Sequence, residues 1–398
     1  MGNNHVNDSY KWVILAISFL IMMGFAFSLQ ALPPLFSQIA KDVSFSNSQE
    51  GMLMGAYAIP GIFLPLLIAY MANRFDMKAM ILAGLLIMIV GVTAFSLAGF
   101  FSLLFFCRLI AGVGATVVIV LAPILITMFF DEKNIGLGMG IFNIAVPTGT
   151  VLAANLFGYL GGVVGWRGIM WIIAGYLAVV LALVFFALYL PKNEIGNNSS
   201  SSGSSSNIGG NLGVWLLAAI WALANLQLLS YMTFGSKLYQ SLGISVQSAG
   251  FLTSLIMLVS IFLAPIIGII FDKTGRKKPY LLIGSFISLV SFAFLAKNIL
   301  PLPLLALGLG IGFTPIPVFV FAYLPQIVKP HQIGMGMGIL TVASNLGTTI
   351  GPPALGSILD LTAGNFSIAF MGLSLVSLII ILITWLGLKP LKAGQNYL

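Results

Sequence analysis

Stretches of about 20 or more apolar residues, long enough to cross roughly 30 Å of hydrocarbon as helix, follow one another along almost the whole chain. They lie near 12–36, 51–72, 79–99, 102–127, 136–160, 167–190, 213–236, 247–271, 279–297, 300–325, 333–358 and 366–388, and are numbered here as spans 1 to 12. Only 7% of the residues are charged, against about 25% in soluble domains. Such a chain has too little polar surface to fold in water, so most of it must face lipid or other helices. The net charge of +8 does not call for nucleic acid, because the basic residues are scattered over short loops. The first apolar run is too long for a cleaved signal peptide and reads as a retained span. The single cysteine, Cys107, sits in an apolar run as a packing residue, which rules out a disulfide framework or a zinc cluster.

The chain repeats itself at a distance of about 198 residues. Ile135-Gly-Leu-Gly-Met-Gly-Ile141 returns as Ile333-Gly-Met-Gly-Met-Gly-Ile339, and Ala145, Gly149, Thr150 and Gly158 return as Ala343, Gly347, Thr348 and Gly356. Ile68–Lys78 lines up with Ile267–Lys277, and Gly51 with Gly250. The polar stretch with Asn197-Asn-Ser-Ser-Ser-Ser-Gly-Ser-Ser-Ser-Asn207 has nothing to bury and reads as a tether. The expected organisation is a six-helix bundle over 1–190, a linker over 191–212 and a second six-helix bundle over 213–398, with a binding site between the bundles. The positive-inside rule puts both termini in the cytoplasm of a multi-pass plasma-membrane protein. Lys11, Arg74, Lys78, Lys133, Lys192, Lys273, Arg276, Lys277, Lys278, Lys329, Lys389 and Lys392 then lie inside, and only Lys41, Arg167, Lys237 and Lys297 outside.

Three local patterns resemble the major facilitator superfamily, over residues 11–390. The loop after span 8, Gly268-Ile-Ile-Phe-Asp272-Lys-Thr-Gly275-Arg276-Lys277-Lys278, is similar to the family's Gly-x-x-x-Asp-Arg-x-Gly-Arg-Arg loop. Span 4 carries Arg108-x-x-x-Gly112-x-Gly114, and span 6 opens with Gly165-Trp166-Arg167. In the first-half copy of the loop, Asn73-Arg74-Phe-Asp76 has Asn where the family has Asp, and Asp where it has Gly. The resemblance implies an all-α membrane fold of twelve helices in two pseudo-symmetric six-helix bundles. It also implies a gating role for the two loops (Asp272, Gly275, Arg276, Asn73 and Arg74), with Asp272 locking against the glycine-rich start of span 5 in one state. Span 7 and its exit, Tyr231 through Ser245-x-x-Ser248-Ala249-Gly250, with Gly308-Leu-Gly310-Ile-Gly312 in span 10, resemble the cyanate, nitroimidazole and nitrate/nitrite branches.

A charge within a span is expensive, so Arg108 is a functional candidate. Two uses compete: a fork onto a substrate carboxylate or oxyanion, or a clamp on carbonyls and side chains of spans 1 and 4. Its repeat partner is Ala306, so no symmetric basic pair exists. Polar stripes supply the other candidates for a substrate cavity. Asn143, Pro147 and Thr150 share a face of span 5, and their counterparts Thr341, Asn345 and Thr348 share a face of span 11. Span 7 adds Asn225, Gln227, Ser230 and Tyr231, and span 1 adds Ser28 and Gln30. Interhelical hydrogen bonding is the competing use for each of them. Glu50 and Asp360, at the outer ends of spans 2 and 11, are the acids nearest the spans, so no proton carrier stands out.

Paired acids, a His–metal cluster or a Ser/His pair at membrane depth are all missing, which argues against an enzyme. The lack of a Gly-x-x-x-x-Gly-Lys-Ser/Thr loop excludes a nucleotide-driven pump. The expected protein is a secondary active or facilitative transporter of a small polar or anionic solute, working by alternating access. It needs no cofactor or metal, sits in a lipid bilayer, binds no nucleic acid and works as a monomer. The alternative is a facilitator-like sensor or partner-binding membrane protein.

Overall fold

In a computed structural model, residues 10–72, 74–131, 134–190, 210–275 and 277–388 are described. Among them every regular element is helical. Eleven helical runs are long and apolar enough to cross a membrane. One of them, Ile135–Ala187, is 53 residues long, or about 80 Å at 1.5 Å per residue. Gly165 divides it, with φ 74° and ψ 163°, a backbone conformation essentially reserved for glycine. Spans 5 and 6 are therefore separate, which makes twelve spans among the described residues.

Proline sets the internal breaks. Span 1 runs as helix over Tyr10–Gln30, breaks at Pro33–Leu35 and resumes as Phe36–Asp42. Pro33 and Pro34 have no N–H, so the carbonyls four residues earlier, on Leu29 and Gln30, lose their helical donors. Span 2 is split into Asn47–Ala56 and Pro60–Ala72, and span 10 into Leu302–Phe313 and Pro315–Ile327. The remaining spans are Met77–Leu97, Phe101–Phe129, Leu212–Ser241, Val246–Thr274, Lys278–Lys297, Ile333–Leu361 and Phe366–Leu382. Caps mark several starts. Ser46 and Gln49 form a capping box before span 2, and the Asp76 carboxylate accepts from Ala79 N–H before span 3. Asp76 thus serves as a helix cap at the place where the resembling loop has glycine.

Buried apolar side chains gather into two cores. One draws on residues 14–188 together with Leu229, the other on residues 214–388. Cys107 lies in the first as a buried free thiol. Because the spans alternate in direction, one face of the molecule carries Tyr10, Leu190, Gly210 and Leu388, and is called here the termini face. The far face carries the turns at 43–46, 98–100, 242–245, 298–301 and 362–365.

The far face is stapled within the first core. Trp166 Nε1 donates to Asp42 Oδ2 at 2.9 Å, and Arg167 pairs with the same carboxylate. The Gly165-Trp166-Arg167 motif is therefore a turn followed by two donors that tie the 5–6 connection to the end of span 1. On the termini face, lysines sit on helix C-termini, where carbonyls lack partners and the dipole favours a cation. Lys78 Nζ donates to Phe185 O at the end of span 6. Lys278 Nζ donates to Trp385 O and Leu388 O at the end of span 12. Lys78 and Lys278 make equivalent contacts in the two halves, one residue away from the pairing that the sequence repeat indicates.

Candidate functional site

Arg108 lies seven residues into span 4 from its far end and is 4% exposed. Each nitrogen of its guanidinium donates to a backbone carbonyl. Nε donates to Leu53 O at 3.0 Å, one Nη to Ser28 O at 2.6 Å and the other to Leu29 O at 3.2 Å. The Tyr57 ring lies 4.5 Å from the guanidinium carbon. The accepting carbonyls belong to the last turns of Tyr10–Gln30 and Asn47–Ala56, two helix C-termini that carry partial negative charge. The Leu29 carbonyl is one of those that Pro33 deprives of a donor. Arg108 thus closes the breaks of spans 1 and 2 around one cation. The rest of the motif allows the approach: a Cβ on Gly112 would meet Tyr57 O at 2.4 Å, and one on Gly114 would meet Gly84 O at 2.3 Å. Each of the three guanidinium nitrogens thus donates to a backbone carbonyl, the arrangement of a clamp on spans 1 and 2.

The two halves of the chain touch chiefly through spans 2 and 11 and through spans 5 and 8, and also where span 7 meets spans 1 and 2. A Cβ on Gly51 would lie 2.3 Å from the Pro352 carbonyl, and one on Gly55 2.5 Å from Thr349 O. On the other side of the seam, a Cβ on Gly250 would lie 2.2 Å from Ala154 O. These glycines let backbones meet directly. Asn155 Nδ2 donates across the seam to Ser254 Oγ at 3.0 Å.

A polar latch crosses the same seam at the far face. Asp360, at the end of span 11, accepts from the Asn47 and Ser48 backbone N–H groups at 2.9 and 2.8 Å, and from Asn47 Nδ2 at 2.8 Å. These are the first amides of the Asn47–Ala56 helix, so the carboxylate of one half sits on a helix N-terminus of the other. Lys237 of span 7 donates to Asn47 Oδ1 at 2.6 Å and to Glu50 Oε1 at 2.9 Å. Glu50 is 4% exposed. These hydrogen bonds between the halves, and that of Asn155 to Ser254, all lie on the far-face side of the membrane. On the termini-face side the seam loosens, and the Leu66 side chain is 4.0 Å from a Cβ placed on Gly338. Among the described residues, nothing lies within 4 Å of a Cβ placed on Gly136 or Gly140 at the start of span 5.

The polar stripes divide. On span 11, Gly347 and Gly351 pack on span 7, whereas Asn345, Thr349 and Pro352 meet span 2. Leu346 and Ile350 emerge on the surface, 40% and 54% exposed. At 100° per residue, Thr341 and Thr348 occupy the remaining quadrant, opposite the exposed one. Asn345 fills the space beside Gly61 and donates to Thr341 O, so it is a seam residue. On span 5, Asn143 and Thr150 share a face two turns apart. Asn143 is exposed and Thr150 is 1% exposed, so that face opens toward the termini face and is sealed toward the far face. Asn225 is half-buried and returns its amide to Trp221 O in its own helix.

Two cavity candidates belong elsewhere. Gln227 donates to Leu373 O at 2.7 Å and to Ser377 Oγ at 2.6 Å, joining span 7 to span 12. Tyr231 is fully buried, its hydroxyl 3.0 Å from Tyr239 Oη. Both side chains are spent on packing inside the second core, because a buried polar group takes the partner within reach. Gln30 is different: it is 5% exposed and its Oε1 has no partner.

In the loop after span 8, Gly275 caps the helix in the left-handed conformation, φ 63°, and permits the sharp turn. Lys277 Nζ donates to Ala322 O of span 10. Burial pushes the Lys277 ammonium down and the Asp272 carboxylate draws it up. Arg74 lies over the Tyr70 ring at 4.6 Å. Asn73 and Arg276 lie outside the described residues. No sequence pattern singles out the latch residues Asn47 and Lys237. Glu50 and Asp360 stand out in sequence only as the acids nearest the spans. What unites the four is that the topology brings opposite charges to one depth at one face.

The profile of the Major Facilitator Superfamily matches residues 14–236 and again 216–396. The lysosomal dipeptide transporter MFSD1 of Homo sapiens is 22% identical, over 94% of this chain and 86% of its own length. The uncharacterized transporter YycB of Bacillus subtilis is 26% identical, over 64% of this chain and 63% of its own length. A bacterial homologue of the human lysosomal transporter Spinster, solved inward-facing and occupied, superimposes with TM-score 0.81. It is 16% identical and covers 95% of this chain and 97% of its own. The nucleoside transporter NupG superimposes with TM-score 0.78 at 14% identity, covering 94% of this chain and 99% of its own. The cyanate, nitroimidazole and nitrate/nitrite resemblance of the span 7 exit finds no support in these relatives.

Proposed function

The chain belongs to the Major Facilitator Superfamily, and from that premise we propose that it carries a small polar solute between its two six-helix bundles by alternating access, here closed to the outside and open to the cytoplasm. It is a multi-pass transporter, related to transporters rather than to enzymes. The observation that carries the mechanism is the one-sided closure. The latch and the glycine approaches seal the far face, while the same faces of spans 5 and 11 loosen toward the termini face.

In this reading, residues 1–190 and 213–398 move as two bodies joined by the 191–212 linker. The inside-positive bias makes the termini face cytoplasmic and the far face external, in the plasma membrane. The solute cavity is walled by Gln30, Asn143, Thr150, Asn225, Thr341 and Thr348. Arg108 keeps the broken ends of spans 1 and 2 in place, so that span 2 presents Gly51 and Gly55 to span 11. To open outward, the molecule separates those glycines from span 11 and closes the cytoplasmic end. There the Asp272–Gly275–Arg276 loop comes onto Gly136 and Gly140 of span 5, and the Asn73–Arg74 loop makes the pseudo-symmetric approach to span 11. No second chain is needed to enclose the site, so the monomer is the working unit. The relatives named as a dipeptide and a nucleoside transporter support a polar organic solute.

The test is reconstitution into liposomes, with uptake of labelled dipeptides and nucleosides followed alongside small anions. Saturable flux that is abolished when a disulfide joins introduced cysteines at positions 47 and 360 supports the reading. Flux that survives that cross-link at the wild-type rate refutes alternating access about the far-face seam.

A further inference from the structure

Spans 1, 5, 7 and 8 border a narrow crevice at the seam, beneath the far-face closure, with about 10 Å³ of free space, enough for one water-sized polar group. Gln30, Pro34 and Ala154 line it from the first half, and Met232, Ser236 and Thr253 from the second. Gln30 ends the first helix of span 1, where Pro33 and Pro34 stop the chain. Its side chain is 5% exposed, and its Oε1 is buried without a hydrogen-bond partner. A buried carboxamide with an unmet acceptor is costly unless something fills the place.

The surroundings define what that guest is. Ser236 Oγ accepts from Gln240 Nε2, which leaves its hydroxyl proton to donate. Thr253 donates to Ala249 O, which leaves lone pairs to accept. The crevice therefore offers both donors and acceptors, all of them neutral. No charge is at hand to receive an ion. Arg108 does not line the crevice, and each of its nitrogens donates to a backbone carbonyl. Glu50 and Lys237 neutralise each other in the latch. An ion entering here would shed water and gain no counter-charge, whereas an amide or hydroxyl would exchange its hydrogen bonds for equivalent ones.

We infer that the part of the solute held in this crevice is an uncharged hydrogen-bonding group, an amide or a hydroxyl, and that the Gln30 carboxamide is the contact that reads it. This rests on the transporter reading above and narrows it to neutral recognition, so the anionic arm of the sequence expectation has no binding partner in the crevice. The unmet Gln30 oxygen accepts from the guest, and the guest accepts in turn from Gln30 Nε2 or Ser236.

Matched pairs of probes that differ by one charge supply the test: uridine against uridine monophosphate, and N-acetylglycinamide against N-acetylglycine. Thermal protection of the full-length purified protein gives the apparent affinity for each. The neutral member of at least one pair should protect, and its charged partner should be weaker by about tenfold or more. Gln30→Leu should weaken the neutral probe by about tenfold or more, Gln30→Asn should weaken it less, and both variants should elute as the wild type does. Equal protection by the charged partner, failure of every neutral probe to protect, or unchanged affinity in Gln30→Leu would each overturn the inference. Protection by a charged probe together with its saturable flux in liposomes would do so while leaving the transporter reading intact.

Discussion

Asp360→Asn is the sharpest probe of the latch. The carboxylate accepts three hydrogen bonds from the start of span 2, two of them from backbone amides at a helix N-terminus. Asparagine keeps one oxygen, which can still serve both Asn47 donors, but it sets an amide nitrogen against the Ser48 N–H. One bond is lost, and with it the charge that the helix terminus favours. A charge-assisted hydrogen bond contributes about 1.5–3 kcal/mol and a charge at a helix terminus about 0.3–1 kcal/mol. The site is partly open to water, which screens both, so the net loss is about 2 kcal/mol. Since about 1.4 kcal/mol is a factor of ten, the closed-to-open ratio of the far face falls by about 30-fold. Spin labels at positions 44 and 361, in a Cys107→Ala background, report the separation by electron–electron resonance. The wild type should give one short distance, and Asp360→Asn should add a longer population that becomes dominant if the wild-type gap is small. A distance distribution identical to that of the wild type would refute the claim that Asp360 holds the far face shut.

Arg108→Lys keeps the charge but cannot reach three carbonyls on two helices, so it should cost about 2–4 kcal/mol at one to two lost charge-assisted bonds. A lowered Tm for the detergent-purified protein, with Arg108→Ala lower still, is the expected result, and an unchanged Tm in Arg108→Lys contradicts the clamp. Gly165→Ala meets no steric neighbour within 4 Å, so its whole cost is backbone conformation, about 1–3 kcal/mol. Its Tm should fall while solute protection per folded molecule stays as in the wild type. With Cys107 replaced, a cysteine at position 143 should label rapidly with a polar maleimide and one at position 150 slowly, since the shared face opens only toward the termini face. Equal rates would remove the one-sided cavity.

Membrane residence, the number of spans, the repeat and the breaks at proline can all be read from local composition. Helices in lipid satisfy their own backbone, so hydropathy and the absence of charge decide them without reference to partners. Even Gly165, which the helical run conceals, is a turn dictated by the chain itself. The Asp272–Lys278 loop and the Arg108–Gly114 pattern likewise announce the family from short stretches of sequence. What those residues do is another matter. Gln227, Tyr231 and Gln30 look alike in sequence, as polar side chains on apolar helices. Only the position of spans 8 and 12 commits the first two to packing and leaves the third unpartnered. Arg108 could serve a substrate or a scaffold until the carbonyls freed near Pro33 and at the end of Asn47–Ala56 are seen around it. Lys237, Glu50 and Asp360 lie far apart along the chain and become a latch only when spans 2, 7 and 11 meet at one face. Long-range pairing depends on which helices are neighbours and at what depth, and a one-dimensional pattern carries no term for either.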